Sequence, residues 1–255
     1  MMTDLSDLFW QASLSDIKRG YLYDHPSDAF ICLICGQSFV NGVIYPYEDQ
    51  LFAAPKFIQA HIASQHVSPF HFLLNLDKKL TGLTEHQKTL LELFYAGNSD
   101  NEVANALTTG STSTIRNHRF SLRERQKQAK LFLAIMELLE EQVPKRNSFI
   151  SIPRSSKAVD NRFAITQEES AKVLAAYFKE GLDGPLTSFP PKEKKKIVIL
   201  RHIMHSFAVN QTYSEKEVNT VLKRFYADYV LLRRYLIEYG FMDRTADGSS
   251  YWVKL

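Results

Sequence analysis

Two cysteines and two histidines carry the most specific chemistry in the chain. Cys32-Leu-Ile-Cys35 is followed downstream by His61-Ile-Ala-Ser-Gln-His66. Zinc favours a tetrahedron of four soft or borderline donors, and two thiolates with two imidazoles are a common set. A tight turn between two strands presents the thiolates, and one helix presents the imidazoles. Four protein donors leave no open coordination position, so the expected ion is a structural Zn2+ and not a catalytic one. The 25 residues between Cys35 and His61 exceed the roughly 12–15 of small fingers, which makes this an elongated variant. His71 is an alternative to His66 as the fourth ligand. Two plainer readings stand beside the metal: buried free thiols with unrelated histidines, or a redox Cys-x-x-Cys. No βαβ pattern surrounds the pair, which weighs against the redox option.

A second constellation is electrostatic. Between Ser113 and Lys130 the basic residues are Arg116, Arg119, Arg123, Arg125, Lys127 and Lys130, against the single acid Glu124. The whole chain has 31 Lys and Arg against 28 Asp and Glu, a net charge of only +3, so the position of the charge matters more than its sum. Ile115, His118 and Leu122 at i, i+3 and i+7 form an inward helical stripe beside these cations. A cationic helix placed after a short turn suits major-groove docking. Arg side chains can grip guanine and Asn117 can grip adenine, each in bidentate fashion. The hydroxyls of Ser111, Thr112 and Ser113 at the helix start can hold phosphate. The expected DNA contacts are therefore Ser111, Thr112, Ser113, Arg116, Asn117, Arg119, Arg123, Arg125 and Lys127. The plain alternative is a solvated basic face on an ordinary bundle helix.

The elements that must position these groups are legible to different degrees. Leu5, Leu8, Phe9 and Leu14 suggest an amphipathic opening helix. Ala29 to Val40 alternates like a strand pair around the cysteine turn, with Phe30 and Phe39 placed to pack on a helix over Pro55 to His66. Leu83 to Glu141 reads as helix throughout. Thr84 is a good N-cap, Ser99-Asp-Asn-Glu102 is a capping box, and Gly97 ends the first helix. Phe132, Leu133, Met136 and Leu139 continue at helical spacing, either as core or as a dimer helix.

Leu83-Thr84, Gly97, Ser99, Glu102, Val103, Ala104, Thr114, Ile115 and His118 together resemble the helix-turn-helix of LuxR-type regulators and of sigma-factor region four. The likeness covers about 45 residues. The turn at Thr108-Thr109-Gly110 is one residue longer than the family norm. Residues 186–253 resemble the winged-helix domain that closes a poorly characterised family of bacterial regulators. That likeness rests on Phe189-Pro190, the Lys192–Lys196 run, Tyr213 to Asn219, Asp228 to Arg234, Gly240, Arg244 and Gly248 to Trp252. It implies DNA binding by a third helix and a wing, with Lys223, Arg224, Arg233, Arg234 and Arg244 as accessory contacts. A protein-interaction winged helix is the alternative.

The expected architecture is mainly α. It comprises a zinc-finger-like ββα element within residues 1–80, a central helix-turn-helix domain over 81–142, a basic linker over 143–165, and a winged helix with a β-hairpin over 166–255. Capping boxes at Thr166–Glu169 and Ser214–Glu217 open helices of the last part. Hydrophobic residues at 45% and charged residues at 23% fit a globular chain. No apolar run reaches the ~18 residues of a membrane span. Two cysteines and an acidic start without a basic n-region suggest a reducing cytoplasm. The leading expectation is a DNA-binding transcriptional regulator, with duplex DNA as partner and a homodimer as an option. A structured-RNA or ribosome-associated protein and a protein-recruiting adaptor are the alternatives. Phosphate-cradling glycine loops, nucleophile elbows and interpretable carboxylate pairs are missing, so an enzyme is not expected.

Overall fold

The computed structural model describes residues 5–107, 111–142, 149–150, 161–209 and 211–254. The chain forms two compact units, one holding residues 1–81 with 149–255 and the other residues 82–148. The turn expected at 108–110 and most of the basic linker lie outside the described residues.

The chain opens with two short helices where one was expected. Helix α1 spans Leu5–Gln11 and buries Leu5 and Phe9. Ser13 then caps α2 (Leu14–Arg19) with a full capping box, so Leu14 starts a new helix and is left exposed. Gly20 ends α2 at φ +81°. A side-chain carbon there would meet Pro69 Cγ at 2.9 Å and Ile62 Cδ1 at 3.2 Å, so this close approach requires glycine.

Strands β1 (Tyr21–Asp24), β2 (Ala29–Cys32) and β3 (Ser38–Val40) form an antiparallel sheet. The register Ala29↔Val40, Phe30↔Phe39 makes the expected strand pair around the cysteines. The long insertion before the histidines is a second hairpin, β4 (Ile44–Tyr47) and β5 (Gln50–Ala53). It feeds directly into α3 (Ala54–His66). Alternation places Phe39 inward between exposed Ser38 and Val40. There it joins Cys32, Ile34, Ala54, Ile58 and Ile62 in a small core. Helices α4 (Pro69–Leu74) and α5 (Lys78–Thr81) follow.

In the second unit, α6 (Glu85–Tyr95) and α7 (Asp100–Ala106) both start with the expected caps, each a complete capping box. Gly97, at φ +88°, follows α6. Helix α8 runs unbroken over Thr112–Gln142. Leu90, Val103 and Ile115, one from each helix, form the fully buried centre, with Leu93, Phe94, Ala104 and Leu107 around it.

The C-terminal part has the largest core. Phe149 and Ile150 return beside Ile165 and Thr166, and a 3-10 turn at Asn161–Phe163 buries Phe163. Helix α9 (Gln167–Tyr177) starts at the Thr166 capping box. Helices α10 (Glu193–Met204), α11 (Glu215–Lys223) and α12 (Tyr229–Glu238) surround Ile197, Leu200, Ile203, Leu222, Phe225, Leu232 and Leu236. The expected hairpin is β7 (Met242–Arg244) with β8 (Ser250–Val253), and a short strand β6 (Thr212–Ser214) completes a sheet of order β6-β8-β7. Within this unit Arg201 Nη2 donates to both Asp7 carboxylate oxygens, at 2.7 and 2.5 Å, which ties α10 to α1.

Candidate functional site

Strand β2 ends at Cys32, and the chain turns at once. Gly36 donates its N–H to Cys32 O at 2.8 Å, and Cys32 donates to Gln37 O at 2.9 Å. This knuckle points both sulfurs at α3. Across it, His61 is buried and its ring lies 5.2 Å from that of Phe39. Cys35 Sγ is 3.3 Å from His61 Nε2, and His66 Nε2 is 3.2 Å from the same nitrogen. The four donor atoms of Cys32, Cys35, His61 and His66 all lie within 4.8 Å of one another. Tetrahedral zinc, with bonds of about 2.0–2.3 Å, has N···N edges of roughly 3.3 Å and N···S edges of roughly 3.5 Å. The donors therefore stand at near-coordinating separations and can hold a metal ion. His71 points elsewhere, with its Nδ1 2.7 Å from Ser68 Oγ.

The thiols are electrostatically unequal. Hydrogen bonding from Cys35 holds the Cys32 thiol down to about 5, helped by the charge of His66, against the cost of burial. The same partnership and burial push Cys35 up. A bound cation would favour the thiolate form of both.

The histidine spacing has a structural consequence. Positions i and i+5 on a regular helix are about 140° apart, yet the two ring nitrogens stand 3.2 Å from each other. His66 is the last residue of α3, and the backbone reverses immediately after it. Val67 sits at φ 62°, ψ −64°, and Ser68 N donates to His66 O at 2.6 Å. This is a γ-turn of the strained hand, on a β-branched residue for which positive φ is costly. The strain sits directly beside the fourth donor.

The cationic helix keeps its charge accessible. Arg116 is 67% and Arg119 51% exposed at the side chain. Ser113, Asn117, Arg123, Arg125 and Lys127 are exposed as well. Arg116, Phe120, Arg123 and Lys127 fall at i, i+4, i+7 and i+11 and make one column well away from buried Ile115. Several cations and helix-start hydroxyls, members of this column included, also make contacts within the unit. Asp100, in the first turn of α7, pairs with Arg119 at 2.8 Å and with Arg116 at 3.5 Å. Arg119 also lies 5.9 Å from the Phe94 ring centre, and Arg125 donates to Gly82 O at 3.0 Å. Thr112 donates to Asn101 Oδ1 at 2.9 Å, while Ser111 Oγ accepts from Thr114 N at 3.4 Å as a helix cap. Lys127 pairs with Glu124 at 2.6 Å. Asp100 and the exposed Phe120 were missed in the sequence. Phe120 is signalled only by its spacing from Arg116, and Asp100 only by its place in a capping box.

The C-terminal candidates are similarly divided. Arg233 donates to Glu215 at 2.6 Å and to Asn219, and is only 15% exposed, so its charge is committed to α11. Lys223, Arg224, Arg234 and Arg244 are exposed. The Lys194–Lys196 run is largely occupied: Lys194 donates to Ala164 O, Lys195 sits 5.3 Å from the Tyr177 ring centre, and Lys196 pairs with Glu193. Tyr226, Tyr229, Tyr235 and Tyr239 belong to the large core or its margin.

Residues 185–253 match a family model described as an uncharacterized protein conserved in bacteria (DUF2087). No curated protein and no solved structure matches the chain. Among the described residues no helix is long and apolar enough to cross a membrane. The comparisons thus establish a likeness of the C-terminal 69 residues to a conserved bacterial domain, and the Cys2His2 group able to take a metal lies outside it.

Proposed function

We propose that this chain is a DNA-binding transcriptional regulator of bacteria, in which residues 82–148 read duplex DNA as a helix-turn-helix and Cys2His2 holds a structural Zn2+. The observation that carries the reading is the α8 column of Arg116, Arg123 and Lys127, which stays exposed on a helix whose start is anchored by buried Ile115. Asp100 supports it by holding two guanidinium groups in place at the start of the same helix. Asn117, Ser113 and the ridge cations are the base and phosphate contacts of this reading, while Arg119 and Arg125 brace the helix. Exposed Phe120 fits apolar contact with a thymine methyl group. Zinc follows from the donor set and its separations, and its role is to fix the small N-terminal core.

The C-terminal part, with helix–strand–helix–helix–hairpin order, reads as a winged helix. A specific feature favours protein docking there over groove reading. The face of α12 beside the wing bears a half-open cavity of about 250 Å³ lined by Val230, Arg233, Arg234, Ile237, Glu238 and Arg244. Its exposed lining is mostly apolar, which suits a polypeptide side chain better than a phosphate.

Fluorescence anisotropy with duplex DNA at several salt concentrations tests the proposal. Arg116→Ala with Arg123→Ala should weaken binding and lower the magnitude of the log–log salt slope by about 1.8, from about 0.9 per phosphate contact. Unchanged curves reject the role of the ridge. Preference for folded RNA in direct competition favours the RNA alternative instead.

A further inference from the structure

The half-open cavity beside the wing is built from one face of α12 and from the strand that packs on it. Val230, Arg234, Ile237 and Glu238 follow one another at i, i+4, i+7 and i+8 along the helix, and Arg244, the last residue of β7, closes the side. The exposed lining is almost all carbon, so the arginines give the walls their methylene stems and carry their guanidinium groups to the rim. At about 250 Å³ the cavity is smaller than the roughly 300–1,000 Å³ of small-molecule sites. It has room for one large apolar side chain with the rest of the ligand outside.

Charge at the rim selects the occupant. Arg233 gives its charge to Glu215 of α11. Arg234 and Arg244 are exposed, and among the described residues neither pairs with a carboxylate. Arg234 stands four residues before Glu238, the less favourable order for an i, i+4 pair, and lies instead over Tyr235, 5.3 Å from the ring centre. Arg244 lies against the wing turn, where a side-chain carbon at Gly248 would stand 3.4 Å from its Nη1. Two uncommitted guanidinium groups beside an apolar pocket have the composition of a binding hot spot, and each suits a carboxylate in bidentate fashion. Glu238, the acid of the lining, disfavours a uniformly anionic chain such as a phosphate backbone. We propose that this pocket docks an acidic segment of a partner polypeptide, with one large apolar side chain in the cavity and neighbouring Asp or Glu side chains on Arg234 and Arg244. The inference rests on the reading of the C-terminal part as a docking module and is independent of DNA binding by α8.

Selection of a displayed random-peptide library on the full chain, followed by fluorescence anisotropy of the enriched peptides, tests this. The enriched sequences should share an aromatic or branched aliphatic residue with Asp or Glu within four positions. Arg234→Ala and Arg244→Ala should each weaken their binding by about five- to tenfold, and Val230→Glu should abolish it. Val230 is 50% exposed and is the second residue of α12, where an added acid suits the helix dipole, so this variant keeps the fold. Enriched peptides that lack acids, lost in Val230→Glu but unmoved by the arginine variants, overturn the charge assignment and leave the docking reading standing. No enrichment, or peptides indifferent to all three variants, overturns both. Arg234→Ala with Arg244→Ala that lowers affinity for duplex DNA as far as Arg116→Ala with Arg123→Ala does returns these cations to the groove and likewise overturns the proposal.

Discussion

Replacing His61 by Ala removes the donor at the centre of the candidate metal group, 3.3 Å from Cys35 Sγ and 3.2 Å from His66 Nε2. The core beneath it is small, with Cys32, Ile34, Phe39, Ala54, Ile58 and Ile62 as its buried members. A core of that size rarely sustains a fold without a staple. Structural zinc contributes about 10–16 kcal/mol of apparent binding energy in finger peptides at neutral pH. Forfeiting even about 4 kcal/mol of it would lower the melting temperature of a 60–100-residue module by about 15–30 °C. The C-terminal core around Leu200, Leu222 and Leu236 contains none of the four donors but belongs to the same compact unit, so hydrogen exchange is the readout that localises the loss. Elemental analysis should give one zinc per wild-type chain and none in His61→Ala. Calorimetry should then show a lowered transition, and hydrogen exchange should accelerate most over residues 21–66. A variant that retains stoichiometric zinc, or a zinc-free chain with unchanged melting and exchange, would refute the structural role assigned to the site.

Three further outcomes follow from particular contacts. Val67→Gly should raise the stability of the zinc-loaded chain by about 1 kcal/mol, because relief of roughly 1–3 kcal/mol of backbone strain exceeds the entropy that glycine adds to the unfolded chain. A urea titration showing a loss would place the strain elsewhere. Asp7→Asn should cost about 1–3 kcal/mol, since it removes the charge from the hydrogen bonds that the mostly buried Arg201 guanidinium gives to this residue. The same kind of titration reads that change, and a cost within error of zero would show that α1 is not held by this pair. In the β7–β8 turn, Thr245 and Ser249 hydrogen bonds hold the Asp247 carboxyl down to about 2. Its contribution is present in full above the ordinary carboxylate range near 4 and is lost as the pH falls through about 2. Side-chain NMR titration should locate that midpoint, and Asp247→Asn should abolish this acid limb.

Local punctuation was the most legible layer of the sequence. Thr84, Ser99, Thr166 and Ser214 all cap helices as their spacing to Gln or Glu implies, because a capping box is satisfied within four residues. The Cys and His pairs were legible for the same reason, although the elongated spacing hid its cause, the β4–β5 hairpin. Strands β1, β4, β5 and β6 were missed because short, half-exposed strands give weak alternation. Long-range partners had no local signal at all. Nothing in the spacing of Asp7 and Arg201 announces their ion pair, and Arg233 reads as a surface cation until Glu215 and Asn219 are brought against it. Charge counting likewise treated the α8 cations as equivalent, whereas contacts distinguish Arg116 and Arg119, which share Asp100, from Arg125, which holds the Gly82 carbonyl.

If the exposed cationic helix engages duplex DNA, genome-wide crosslinking of the tagged chain in its own cells should enrich discrete duplex DNA segments. Those segments should be lost when Arg116 and Arg123 are replaced by Ala while the chain remains folded and zinc-loaded. Recovery of RNA in place of DNA, of no nucleic acid, or of the same DNA segments with the double variant would rule out DNA reading by this helix.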